Sequence, residues 1–166
     1  KIKKGDIRSM RKVLQLLSIV VVGIAVALML ISPEMVLIFG SPKYREAVYV
    51  IPPVAASVFF IFIYNILSMP QFYYEKTQFL MAASMAAAGA NVVLNFIFIR
   101  LFGYIAAGYT TLACYMLYSV GHYIVSKQIL VNEGIQENLM SPGFLVACSV
   151  FLIGASIICN LIFPYR

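Results

Sequence analysis

The side chains of this sequence that are suited to binding chemistry are concentrated on two apolar stretches, residues 79–99 and 104–125. Asn91 and Asn95 lie one helical turn apart on the first stretch. The second stretch carries a hydroxyl, two phenols and an imidazole at the spacing of one helical face: Thr111, Tyr115, Tyr118 and His122. Such groups bind polar ligands through hydrogen bonds.

Two interpretations of the asparagines remain open. Asn91 and Asn95 either hydrogen-bond to a neighbouring helix as structural contacts, or line a water-accessible cavity, because polar groups at membrane depth face the bundle interior or a pathway. Ser84 and Ala88 extend their stripe. A second stripe of small residues, which would let another helix approach closely, consists of Ala82, Ala86 and Ala90.

His122 is the only histidine in the chain and lies near the end of its stretch. It is either a hydrogen-bonded structural residue or a proton carrier. No histidine, cysteine pair or carboxylate lies at ligand spacing from it, so we predict no metal site and no cofactor. A membrane-embedded transferase with His122 as general base would need a second catalytic group, and the short loops offer none near it in sequence. We therefore predict that the chain is not an enzyme.

Composition indicates the elements that position these groups. Hydrophobic residues make up 63% and charged residues 11%, against about 45–50% and about 25% in soluble domains. The mean hydropathy is +0.95. Since about 20 helical residues cross the bilayer core, the 166 residues have room for about five spans. The sequence predicts an all-α integral membrane protein, a bundle of about five transmembrane helices.

We predict a single transmembrane domain over residues 1–166, with spans at about 13–31, 47–69, 79–99, 104–125 and 143–163. Ser32 and Pro33 are expected to end the first span and start a short helix. Pro52 and Pro53 predict a kink or a broken first turn in the second span. Residues 70–78 and 127–141 are expected to form loops. Asn65, in the second span, is a further polar candidate.

The placement of charge predicts orientation. With the N-terminus inside, the inner segments hold eight basic residues, Lys1, Lys3, Lys4, Arg8, Arg11, Lys12, Lys76 and Lys127, and the outer segments hold four, Lys43, Arg45, Arg100 and Arg166. This excess places the N-terminus in the cytoplasm. Because the N-terminal basic cluster leads directly into a membrane span, we expect it to face the lipid bilayer and not a nucleic acid.

Several short motifs resemble a known family. They are the run from Ser32 to Gly40, then Tyr44, Ala47 and Ile51-Pro52, the segment Asn91 to Asn95, and the segment Phe102 to Gly108 with Thr111, Leu112 and Tyr115. Their order and spacing resemble the C-terminal half of polysaccharide biosynthesis flippases, the O-antigen and capsule transporters of the multidrug/oligosaccharidyl-lipid/polysaccharide superfamily.

The resemblance implies a two-lobed fold of 12 to 14 helices that moves an undecaprenyl-diphosphate-linked oligosaccharide across the bacterial inner membrane. The expected partners are this lipid-linked oligosaccharide, the bilayer and an N-terminal lobe of the same chain, of which this sequence would be a fragment. Because no Lys or Arg lies well inside a span, the substrate would be held by polar and aromatic residues. The cavity candidates are Asn65, Asn91, Asn95, Thr111, Tyr115, Tyr118 and His122. A multidrug or lipid-precursor exporter of the same superfamily and a non-catalytic membrane partner are the alternatives.

Overall fold

The computed structural model describes the backbone of residues 4–163 and the side chains of residues 7–41 and 44–163. Five α-helices follow one another: α1 (Lys4–Phe39), α2 (Ile51–Tyr73), α3 (Gln78–Phe102), α4 (Ala106–Asn132) and α5 (Pro142–Ile162). A 3-10 helix, Pro42–Tyr49, joins α1 to α2. The described residues contain no strand, so the predicted all-α bundle of five helices is confirmed.

Within the described part of the chain, four segments are long and apolar enough to cross a membrane: Ile7–Phe39, Tyr44–Tyr73, Gln78–Phe102 and Pro142–Ile162. The helix α4 is 27 residues long but is not one of them, because its threonines, tyrosines and His122 lower its hydropathy. Instead, α4 packs against α2 and α3. The chain is therefore a helical membrane bundle with one comparatively polar helix inside it.

The predicted helix break at Ser32 and Pro33 is wrong. The helix α1 runs through Pro33 to Phe39. The Ser32 side chain is fully buried and its Oγ donates to the Met29 carbonyl at 2.8 Å, so Ser32 is no cap. Met29 and Ser32 are buried against the rest of the bundle. We infer that this burial offsets the local cost of Pro33 inside the helix.

Two predicted loops are shorter than expected. The helix α2 continues through Pro70 to Tyr73, and α4 continues to Asn132, so the connections are residues 74–77 and 133–141. Pro70 is buried, which shows that tertiary contacts hold this part of the chain helical. At the other end of α2, Pro52 and Pro53 lie in the first turn of the α-helix, directly after the 3-10 helix, where proline is well tolerated. The predicted second span therefore changes from 3-10 to α-helix near its start.

The centre of the bundle is α2, which packs against α1, α4 and α5. The buried face of α1 recurs every three, four or seven residues and consists of Ile7, Leu14, Ser18, Ala25, Met29 and Ser32, the spacing of a coiled-coil seam. The helices α2 and α4 run parallel. Near their N-terminal ends a Cβ on Gly108 would lie 2.8 Å from Pro53 Cγ, so glycine permits the close approach.

The ends of the bundle are joined by polar contacts. At one end, Arg8 Nε donates to the Glu137 carboxylate at 3.0 Å, and Arg11 Nε donates to the Asn138 carbonyl at 2.9 Å. At the other end, the Tyr104 hydroxyl donates to Glu46 at 3.0 Å. The start of α1 and the connection after α4 thus share one end, as the alternating topology predicts. The predictions that concern Lys1, Lys3 and Arg166 lie outside the described residues.

The helix α1 is longer than the hydrocarbon core of a bilayer is thick. Its 36 residues span about 54 Å, whereas the hydrocarbon core of a bilayer is about 30 Å thick. A helix of this length projects beyond the core, and Arg8 and Arg11 lie on its projecting first turns. Both arginine side chains can therefore reach the connection between α4 and α5 outside the hydrocarbon core, where they bond to Glu137 and Asn138.

Candidate ligand-binding cleft

A cleft of about 460 Å³ opens between α3 and α4, and α2 contributes one residue to its wall. Its volume lies within the range of about 300–1,000 Å³ that is usual for small-molecule sites. The lining side chains are small, hydroxylated or aromatic and all are uncharged: Tyr64, Ser84, Ala87, Ala88, Asn91, Val92, Thr111, Cys114, Tyr115 and Tyr118.

Four of the seven candidates predicted from the sequence meet in this cleft. Asn91 lies on the α3 wall, and Thr111, Tyr115 and Tyr118 lie on the α4 wall. Both polar stripes face the same space because α3 and α4 are consecutive helices joined by the short connection at Gly103, whose φ of 77° allows the chain to reverse.

Tyr64 of α2 joins the two walls. Its ring is almost parallel to that of Tyr115, with 6.3 Å between centroids and an interplanar angle of 3°. Its centroid lies 4.7 Å from that of Tyr118. Sequence reasoning left Tyr64 out of the candidates, although it shares a helical face with Ser57 and Ser68. Three tyrosine rings from two helices thus cluster at one side of the cleft.

A hydrogen bond connects the two walls at one edge. Ser84 Oγ donates to the Leu80 carbonyl at 2.8 Å and lies 2.6 Å from the Tyr118 hydroxyl. Because serine has a single hydroxyl proton, the Tyr118 hydroxyl is the donor in the second bond. The Tyr118 oxygen keeps its acceptor capacity for a ligand.

Asn95 lies one helical turn beyond Asn91 on α3 and does not line the cleft. Its Nδ2 donates to Asn91 Oδ1 at 2.9 Å, and Thr110 Oγ1 donates to its Oδ1. Asn95 therefore connects α3 to α4 and orients Asn91, which accepts with its oxygen and retains its own Nδ2 group. Thr110 was missed in the sequence because it lies beside Thr111, on a neighbouring face of α4.

His122 is fully buried between α2 and α4. Its Nδ1 accepts from Gln71 Nε2 at 2.8 Å, and its ring packs at right angles to Tyr118, with centroids 4.5 Å apart. The rings of Tyr64 and Phe79 lie within 6 Å of it. His122 thus contacts two lining residues, Tyr64 and Tyr118, without lining the cleft itself. Gln71 was missed because Pro70 predicted a loop there.

The remaining candidate, Asn65, lies apart from the others. It is exposed, and its Nδ2 donates to the Ile61 carbonyl of its own helix at 2.7 Å. Ala82, Ala86 and Ala90 are exposed as well, because α3 turns the adjacent stripe of Ala83, Ala87 and Asn91 toward α4. In the described part of the chain, no group of three or more metal-ligating side chains converges.

The cleft is suited to hydrogen bonding and ring contacts with an uncharged, polar ligand. Comparison with known proteins identifies no relative, since no protein family, no curated protein and no solved structure matches the chain. The class that the fold defines is a helical membrane bundle, and its distinguishing feature is a polar, uncharged cleft between α3 and α4.

Proposed function

We propose that this chain is part of a transporter that moves an undecaprenyl-diphosphate-linked oligosaccharide across the bacterial inner membrane during synthesis of a surface polysaccharide. The observation that carries the proposal is the uncharged cleft lined by tyrosine rings, hydroxyls and the Asn91 amide. Polar groups inside a membrane bundle are costly, and they typically mark a substrate pathway.

Two further features support transport of a glycan. The cleft offers groups that both donate and accept hydrogen bonds, as sugar hydroxyls require. The order of the motifs from Ser32 to Tyr115 resembles the polysaccharide flippases. The proposal includes a second lobe of the same protein facing this one, because a cleft open at one side needs an opposing surface to enclose a substrate.

We further propose that the N-terminal end of α1 is cytoplasmic. The basic residues Arg8, Arg11 and Lys12 stand at this end, together with Lys76 after α2, and the excess of positive charge favours the inner face. Single cysteines at Asn132 and at the exposed Phe102, the last residue of α3, test this orientation in intact cells. A membrane-impermeant thiol reagent is expected to label Phe102→Cys and to leave Asn132→Cys unlabelled until the cells are opened.

The proposed activity is testable in vesicles. The native gene product would be reconstituted into liposomes that hold a fluorescent undecaprenyl-diphosphate-linked oligosaccharide in both leaflets, and an impermeant quencher would report how fast the inner pool reaches the outside. We expect faster exchange than in protein-free vesicles, and a reduced rate for Asn91→Leu.

The control variant is Asn65→Leu, which changes an asparagine outside the cleft. Equal exchange with and without the wild-type protein would refute the proposed function. Faster exchange of a lipophilic cationic drug, without exchange of the oligosaccharide lipid, would favour the exporter alternative.

A further inference from the structure

We propose that the cleft between α3 and α4 binds a sugar ring of the substrate and not its diphosphate, with Tyr64 and Tyr115 against the apolar face of the ring and Asn91 and Thr111 hydrogen-bonding its hydroxyls. The inference rests on the proposed function and deepens it, because it assigns this lobe to the uncharged part of the substrate.

The lining supplies no charged group to pair with a diphosphate. None of the ten described lining residues is an Asp, Glu, Lys, Arg or His. A diphosphate is recognised by Arg or Lys, whose charge-assisted hydrogen bonds replace its hydration. Burying it among neutral groups would leave a costly, uncompensated charge. In the described part of the chain, Arg100 contacts the ring of Phe96 at 4.0 Å, at the far end of α3 and outside the lining.

A purely apolar ligand fits the lining equally poorly. The two walls present Ser84, Asn91 and Thr111 together with three phenols. Groups without a protein partner, such as the Asn91 Nδ2, would lose hydration without a replacement hydrogen bond if a hydrocarbon chain filled the cleft. A neutral ligand that carries hydroxyls satisfies both the apolar and the polar parts of this lining.

The arrangement of rings and polar groups matches the two faces of a sugar. A pyranose has C–H groups on its faces and hydroxyls around its edge. The nearly parallel rings of Tyr64 and Tyr115 supply apolar surface at low entropic cost. The Asn91 Nδ2 group is a donor, and the Tyr118 oxygen is an acceptor. Donor and acceptor thus lie on opposite walls and can hold the edge of one ring from both sides.

A reporter cysteine tests the ligand class directly. Ala88 lines the cleft, is exposed and donates no side-chain hydrogen bond. Ala88→Cys is therefore introduced after every cysteine of the native gene product, including Cys114, Cys148 and Cys159, is replaced by Ala. Labelling by a small hydrophilic maleimide is then timed with maltotetraose, chitotetraose or inorganic diphosphate present. We expect either neutral sugar to slow labelling at least fivefold and diphosphate to slow it less than twofold. Asn132→Cys, at the end of α4, is the control reporter and is expected to be unaffected by all three.

Variants of the lining separate a sugar site from general shielding. In the Ala88→Cys background, Tyr115→Leu and Asn91→Leu are expected to abolish protection, whereas Tyr115→Phe, which keeps the ring, is expected to retain it. If Tyr115→Leu fails to fold, as judged by its melting temperature, Asn91→Leu decides alone, because Asn91 lies at the edge of the packed interface. Protection by diphosphate equal to that by sugar, protection by neither sugar, or protection that survives Asn91→Leu would overturn the inference.

These outcomes are distinct from failure of the proposed function. Vesicles that exchange the oligosaccharide lipid while no sugar protects Ala88→Cys would retain the transport proposal and refute the sugar site. Vesicles without exchange, in which sugar protects Ala88→Cys, would refute transport and retain the site.

Discussion

The Gln71 side chain on α2 donates from Nε2 to Nδ1 of His122 on α4 across 2.8 Å, and both side chains are fully buried. This bond joins two parallel helices near their C-terminal ends, while Gly108 lets them meet near their N-terminal ends. The α2 and α4 pair is thus held together along its length. The cleft lies on the other side of α4, where α3 packs against it. The helix α3 has no buried residue.

The bond between Gln71 and His122 should appear as coupling in a double-mutant cycle. We expect Gln71→Leu and His122→Leu each to lower the free energy of unfolding in detergent, because each leaves a buried polar partner unpaired. The double variant should lose less than the sum of the two, by about 1 kcal/mol. Additive losses would show that the two side chains do not interact in the folded protein.

Gly108 should be intolerant of a side chain. A Cβ there would lie 2.8 Å from Pro53 Cγ and 3.0 Å from the Val50 carbonyl oxygen, so Gly108→Ala must separate α2 from α4. We expect a loss of about 1–3 kcal/mol, measured by thermal unfolding in detergent. The matched control is Gly89→Ala, where nothing lies within 4 Å and where alanine should stabilise the helix slightly. Equal melting temperatures for the two variants would contradict the close approach.

Asn91 and Asn95 should respond differently to the same substitution. Asn95→Leu removes both the bond to Asn91 and the bond to Thr110, and we expect a loss of stability of about 1 kcal/mol with a matching fall in protein level. Asn91→Leu removes only the bond to Asn95, so we expect a smaller fall in melting temperature, together with a lower transport rate because Asn91 lines the cleft. The measurements are the melting temperature and the vesicle exchange rate of each variant. Identical profiles for the two variants would refute this division of roles.

Arg11 should hold the connection between α4 and α5 more firmly than Arg8. The Arg8 side chain is 71% exposed, so its pair with Glu137 contributes little. Arg11, 28% exposed, donates to the Asn138 backbone. We expect Arg11→Gln to speed proteolytic cleavage within residues 133–141 several-fold and Arg8→Gln to change it by less than a factor of two. Equal sensitivity in both variants would show that the bond to the Asn138 carbonyl does not restrain the connection.

The boundaries of the helices show where local signals are insufficient. Ser32-Pro33 and Pro70 look like helix ends because proline removes a backbone donor and clashes with the preceding turn. In the structure both prolines lie inside helices. The cost of a proline is local, whereas the burial that offsets it comes from residues far away in the chain. By contrast, glycine does coincide with helix ends: α1 ends before Gly40, and α3 ends before Gly103, whose φ is 77°.

The residues of the candidate site were likewise predicted only in part. Asn91, Thr111, Tyr115 and Tyr118 were found from helical spacing, since consecutive antiparallel helices bring neighbouring stripes together. Tyr64 and Gln71 were not found, because their partners lie 51 residues further along the chain. His122, expected as a cavity residue, is instead bonded to Gln71 and packs against the Tyr118 ring.

The sequence by itself determined the five helices and the location of polar groups on α3 and α4, because hydropathy and helical periodicity are properties of neighbouring residues. Only the tertiary structure decided that α2 pairs with α4, that Tyr64 joins the cleft, and that Asn95 and His122 contact lining residues without lining the cleft. Those choices depend on which helix faces which. The packing of distant surfaces sets that arrangement, and no local pattern encodes it.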